Sequence, residues 1–298
     1  MNLWIAVTFA AAAVQTLRFM LQKRLKSLGL STGGATFARF LFAAPLALGG
    51  LALLILAAGH ALAAPTARFW GFVLAGGIGQ IIATFCTVAL FSERSFAVGI
   101  AFTKSETVQV ALFSALVLAE PVSAAGLAAI LLGTAGVILL SRPPGGWGKT
   151  GIFNRAVGLG LLAGAFFGVS AIGYRGATLE VTSDSALFRA TVALAAVTTF
   201  QTLAMGGWLI LREPGEVARV ARSWRATALV GVTGVAGSLC WFVAFALMNA
   251  AYVRSVGQVE LIFSLLASVL FFKERVTPRE IAGMALLVIA IIGIVAVA

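Results

Sequence analysis

The chain has 298 residues, 61% hydrophobic and 10% charged, with mean hydropathy +1.06 and net charge +11. A soluble domain is about 45–50% apolar and about 25% charged, so the composition excludes a soluble enzyme or binding module and indicates a polytopic membrane protein. The positive charge sits in loops between apolar runs, where it orients a chain across the lipid bilayer; no nucleic-acid partner is expected from it.

A helix needs about 20 apolar residues to cross the ~30 Å hydrocarbon core. The pattern predicts ten such spans, at about 3–22, 33–58, 68–91, 96–118, 123–141, 156–174, 184–210, 225–247, 252–272 and 277–297. Span 1 carries the amide Gln15 in its middle, and its charges follow the apolar run as Arg18, Lys23, Arg24 and Lys26. That order reads as a retained first helix and not as a signal peptide. Span 3 carries Gln80, and Gly76, Gly77 and Gly79 that would let a neighbouring helix approach. His60 falls in a loop without metal-ligand spacing, and neither a metal nor a cofactor is expected.

Span 4 is the unusual one. It holds Lys104, Glu106 and Gln109 inside an apolar run, and a charge at the centre of a membrane helix costs about 2.5–3.5 kcal/mol on the insertion scale. Such residues face protein or water, not lipid. Lys104 and Glu106 are two apart, about 200° around a helix, so they cannot pair with each other. One is expected to face a cavity and the other an interhelical partner.

The segment 143–154, rich in proline and glycine, reads as a linker between two halves. In span 6, Gly160, Gly164 and Gly168 form another small-residue stripe. The stretch 213–224 is compatible with either a short interfacial helix or a loop. Span 8 repeats the glycine pattern with Gly231, Gly234 and Gly237, and carries Trp241 well inside, with Phe245 one turn on. Trp4, Trp70, Trp147, Trp208 and Trp224 lie at span ends or in a loop beside one and read as an interfacial belt; Tyr174 and Tyr252 read as belt or outer vestibule. Span 9 carries Gln258 and Glu260. Thr277 to Glu280 reads as a capping box with proline at the first helical position of span 10.

Rare residues recur 154 apart: Trp70 with Trp224, Cys86 with Cys240, Glu106 with Glu260, and Glu120 with Glu274. Most of the 21 Lys and Arg lie in loops after spans 1, 3, 5, 7 and 9; loops after even-numbered spans hold Arg68, Arg175 and Arg254. This asymmetry predicts cytoplasmic odd loops and both termini outside. A five-span repeat places its second copy upside down. The chain is therefore expected to be one transporter domain over 1–298, built from inverted repeats at about 1–145 and 150–298. The expected fold class is an all-α membrane protein with ten transmembrane helices. Inverted repeats are a signature of carriers that alternate access around a midplane site.

On this layout the chain resembles the drug/metabolite transporter superfamily, in its ten-helix EamA-type exporter branch. The resemblance rests also on Leu118-Ala119-Glu120-Pro121, on the stretch from Phe272 and Glu274 to Gly283, and on Arg39 and Arg189 early in spans 2 and 7. The whole chain is similar to bacterial aromatic amino acid exporters, which implies efflux of amino acids across the bacterial inner membrane by alternating access. Small multidrug exporters of the superfamily carry a glutamate in their first helix, where this chain has Gln15.

A zwitterionic amino acid could be met by Lys104 and by Glu106 or Glu260, with Trp241 as an aromatic wall and Gln15, Gln80, Gln109 and Gln258 as further polar contacts. In the alternative, Lys104 and Glu260 bond each other and hold spans 4 and 9 together. Protons are the candidate coupling ion. The rival readings are a carrier of the same fold for a drug cation, nucleotide sugar or phosphorylated metabolite, and a channel. An intramembrane enzyme is disfavoured: His60 is outside the spans, and Asp184 is the sole aspartate.

Overall fold

The computed structural model describes residues 3–59, 62–90, 103–141, 155–263 and 277–298. The described residues form an all-helical protein: α1 (Leu3–Ser27), α2 (Thr32–Leu41), α3 (Ala43–Ala58), α4 (Ala67–Leu90), α5 (Glu106–Leu118), α6 (Ala124–Ser141), α7 (Arg155–Leu179), α8 (Ala186–Arg212), α9 (Glu216–Arg222), α10 (Trp224–Leu247), α11 (Ala250–Val256) and α12 (Pro278–Val297). Among the described residues, seven spans are long and apolar enough to cross a bilayer, and 106–118 and 124–140 are shorter apolar helices. The linker 143–154, His60, Trp147, Glu274 and the outer parts of spans 4 and 9 lie outside the described residues.

Three details go beyond or correct the predicted layout. Span 2 is interrupted at Phe42, between α2 and α3. Pro45 has no N–H to give the carbonyl four residues back, which breaks the ladder there. Nearby, Phe40 O instead accepts the Thr202 hydroxyl at 2.9 Å. The stretch 213–224 contains a true helix, α9. Its Glu216 is buried and accepts the Ser31 N–H at 2.7 Å. Trp4, expected in the belt, is buried in the core, whereas Trp70, Trp208 and Trp224 are exposed.

The most extensive helix contacts join the first half of the chain to the second: α4 on α7, α12 on α6, and α1 on α10. The glycines make these approaches possible. A Cβ on Gly173 of α7 would lie 2.5 Å from Gly76 Cα, so the α4–α7 crossing is backbone on backbone there. Gly136 and Gly283 play the same part between α6 and α12, where a Cβ on Gly136 would meet Gly283 O at 2.9 Å. The Thr277 capping box is formed, with Thr277 N–H donating to Glu280 Oε2 at 2.7 Å.

Candidate functional site: a charged cavity between the halves

Both stretches that carry the midspan charges are interrupted. A turn at Lys104 and Ser105 precedes α5, so Glu106 is that helix's first residue. α11 tightens into a 3-10 turn at Gly257–Val259, and helix resumes over 260–263. The two interruptions stand at positions 154 apart. A 3-10 turn inside a helix is a common place for a hinge. Gly257 is required there, because a Cβ would collide with the Trp241 ring.

The charges of one stretch pair with those of the other. Lys104 Nζ pairs with Glu260 Oε1. Arg254 grips Glu106 with two nitrogens: Nη2 donates to Oε2 at 2.7 Å and Nε faces Oε1. This is the fork geometry that makes Arg–carboxylate pairs strong. The Arg254 guanidinium also lies 4.5 Å from the centroid of the Trp241 ring, a cation–π contact. Glu260 Oε2 accepts from Gln15 Nε2 at 2.6 Å, and Gln15 Oε1 accepts from the Trp241 indole N–H at 3.1 Å. One connected set thus links α1, α10, α11 and the start of α5.

The set borders a cavity of about 30 Å³, walled by Gln15, Arg39, Gln80, Glu106, Arg254, Ser170 and Ser238 and by the rings of Phe167, Tyr174, Trp241, Phe242 and Phe245. That is room for water and far too little for an amino acid. On its far side a second chain of hydrogen bonds runs from Arg39 Nη1 to Thr84 Oγ1 at 2.9 Å, and from Gln80 Nε2 to the same hydroxyl at 3.1 Å. Gln80 Oε1 accepts from Ser170 at 2.9 Å and from Tyr174 at 3.4 Å, and Gln201 donates to the Tyr174 hydroxyl at 3.1 Å.

Of the residues named from sequence, Gln15, Gln80, Glu106 and Trp241 come together on the cavity wall. Lys104 and Glu260 stand behind it, joined to it through Gln15. Gln258 is buried next to them; its Nε2 donates to Arg254 O at 3.4 Å, and its Oε1 has no hydrogen-bond partner among the described residues. Gln109 turns back to Ser105 Oγ at 3.0 Å, away from the cavity. Two assignments are corrected. Arg254 is not a loop residue but part of α11, its side chain 11% exposed. Tyr174 is not in a belt or vestibule: it is buried within α7 and stacked on Phe242 at 4.2 Å. Sequence reasoning missed both because a lone basic or tyrosine residue near a span end looks like a flank. Arg39 entered from the sequence as the counterpart of Arg189 and through the family resemblance, not as a site residue.

Polar networks join helices at both ends of the bundle. At one end, Arg175 holds Glu120 through Nη2 at 2.6 Å and Nε at 3.2 Å, and donates to Phe245 O at 2.5 Å. Arg189 donates to Ala246 O at 3.0 Å. The two arginines thereby satisfy carbonyls left open at the C-terminus of α10, where positive charge is also favoured. Asn249 donates to Glu120 O at 2.9 Å. At the other end Ser31 caps α2 and is held by Glu213 and Glu216.

Residues 154–296 match the family model described as the EamA-like transporter family. No curated protein matches the chain. A solved crystal structure aligns with it at TM-score 0.69 and 15% identity, over 97% of this chain and 95% of that one; at that identity the likeness shows the fold alone. The apolar spans and the all-helical architecture agree with that match: this chain is a multi-pass membrane protein whose residues 154–296 match the EamA-like transporter family, consistent with its resemblance to the drug/metabolite transporter superfamily.

Proposed function

We propose that the chain is an exporter of amino acids, aromatic ones foremost, and of related small metabolites, working by alternating access in the bacterial inner membrane. The observation that carries this reading is the wall of the central cavity. Five aromatic rings and the groups of Gln15, Arg39, Gln80, Glu106 and Arg254 converge there. An aromatic side chain would stack among the rings, and an ammonium and carboxylate would find polar partners within the same space. In this state the space is too small for cargo, so a larger opening must alternate with the closed form.

The contact pattern supports two inverted five-helix repeats within one domain over 1–298. Under an offset of 154, the α4–α7 packing becomes the α10–α1 packing, and both are extensive. The matched helix interruptions at 104–105 and 257–259 support hinge points in both repeats. A carrier of this kind takes protons as its candidate coupling ion.

The test is transport by the purified protein in liposomes. Labelled phenylalanine or tryptophan is expected to enter saturably and to show counterflow against unlabelled substrate. Flux equal to empty liposomes for every amino acid, with clear flux of a drug cation, overturns the cargo assignment. Unsaturable flux without counterflow favours a channel.

A further inference from the structure

Among the described residues, the interior around the cavity holds more cations than carboxylates. Glu106 and Glu260 are each matched, by Arg254 and Lys104. Arg18 and Arg39 are buried as well, 3% and 7% exposed, and neither pairs with a carboxylate among the described residues. Arg18 donates to Gln22 Oε1 at 2.8 Å and lies over the Phe19 ring. The Arg39 side chain makes one hydrogen bond among the described residues, to Thr84, and lies over the Phe40 ring. A guanidinium has five donors. A buried charge normally has a counter-ion, since desolvation without one costs several kcal/mol.

The two arginines are neighbours: a Cβ on Gly234 would lie 3.4 Å from Arg39 Cγ and 3.7 Å from Arg18 Cδ. Their fields add at one place. Arg39 is also the charged residue shared by the central cavity and a second space of about 10 Å³ bordered by Phe40, Leu194, Phe242 and Tyr174. The matched residue of the other half behaves differently. Arg189 gives its guanidinium to the carbonyl of Ala246, at a helix end. Arg39 keeps donors in hand at the cavity wall.

We propose that Arg39, with Arg18 behind it, is an anion subsite that receives the carboxylate of the cargo, while the apolar part of the cargo lies against Trp241 and Phe242. This deepens the carrier reading above and rests on it. It assigns the cargo as an organic acid or zwitterion and excludes a simple organic cation. It also reassigns the carboxylate from Lys104, which Glu260 already engages.

Matched probes that differ only in charge test it on the full chain in detergent. 3-Phenylpropionate carries the carboxylate, phenethylamine the ammonium, and phenylalanine both. Phenylalanine and 3-phenylpropionate at millimolar concentration are expected to raise the unfolding midpoint of the wild-type protein, and phenethylamine to leave it unchanged. In Arg39→Gln the affinity for both carboxylates falls by about 10- to 100-fold, the value of lost charge-assisted hydrogen bonds; Arg39→Lys retains part of it. Equal stabilisation of the wild type by phenethylamine and 3-phenylpropionate overturns the proposal, and so does the absence of stabilisation by any carboxylate. If Arg39→Gln does not fold, the wild-type comparison decides alone. Saturable phenylalanine transport with unchanged KM in Arg39→Gln sinks the subsite and leaves the amino acid reading standing. Arg39-dependent binding of 3-phenylpropionate without phenylalanine transport keeps the subsite and sinks the amino acid reading.

Discussion

Lys104 and Glu260 form a direct pair with Gln15 as a third partner. Removing one partner of a buried pair leaves the other charge unmatched and costs about 3–5 kcal/mol. Lys104→Met and Glu260→Gln are each expected to lower the unfolding midpoint in detergent. The double variant is expected to recover most of the loss, because both charges are then gone. Single losses that simply add in the double variant would show that the two residues do not interact. Trp241 is tied to the same set through its indole N–H and stacks against Phe245, with ring centroids 6.0 Å apart. Trp241→Ala is expected to lower kcat/KM for phenylalanine by about tenfold, the value of an aromatic contact, while Trp241→Phe keeps most of it; an unchanged kcat/KM in Trp241→Ala would remove the ring from the site. At this scale the sequence singled out Lys104, Glu106 and Glu260 and offered the Lys104–Glu260 pair as one of two readings, which the structure shows; it did not offer Arg254 as the partner of Glu106. Lys104 and Glu106 two residues apart showed that each needs a partner elsewhere. Nothing in the order of residues says that Glu106 takes Arg254, since that depends on how α11 turns past the start of α5.

The helix interruptions are the least legible features at the scale of elements. A hydropathy window reads 33–58 as one span because Pro45 sits among Ala, Leu and Gly that keep the average high. It reads 252–272 the same way, since a 3-10 turn changes neither composition nor length enough to register. Gly257 is the local clue, and the structure gives its reason in the outer atoms of the Trp241 ring that a Cβ would meet. Gly257→Ala is expected to force the ring or the turn aside and to cost about 1–3 kcal/mol, as overpacking does. A wild-type unfolding midpoint in Gly257→Ala would mean that the turn is slack. The C-terminus of α10 makes a second test. Arg175 and Arg189 cap its carbonyls, and Arg175 also holds Glu120, which follows the left-handed Ala119 that ends α5. Arg175→Gln leaves Glu120 and Phe245 O under-satisfied and is expected to destabilise by about 1–3 kcal/mol. If this end must open in each cycle, the same change raises the accessibility of a cysteine placed at Ser238 to membrane-impermeant thiol reagents; equal labelling with and without Arg175 would separate the network from gating.

Across the whole molecule, the fold class was plain from hydropathy, and the structure adds how the connections sort. Thr66 and Arg68 meet Glu180 at 2.8 and 3.4 Å, and Asn249 and Tyr252 reach Glu120 and Ser123, so the connections after spans 2, 4, 6 and 8 share one end. Ser31 meets Glu213 and Glu216, so the connections after spans 1 and 7 share another. Alternate crossing of a membrane demands this parity. The charge count then predicts which end is which. Lys and Arg concentrate in the odd connections, which the positive-inside rule assigns to the cytoplasm. In a chain with Cys86 and Cys240 replaced by serine, a cysteine at Thr66 or Ala298 is expected to react with an impermeant maleimide in intact cells. A cysteine at Arg222, in α9, is expected to react only after the membrane is opened. Labelling of Arg222→Cys in intact cells, with Thr66→Cys protected, would turn the molecule over. The end held by Glu120 and Arg175 would then face the cytoplasm, and under the proposed exporter reading transport would begin by opening that network instead of the one around Ser31.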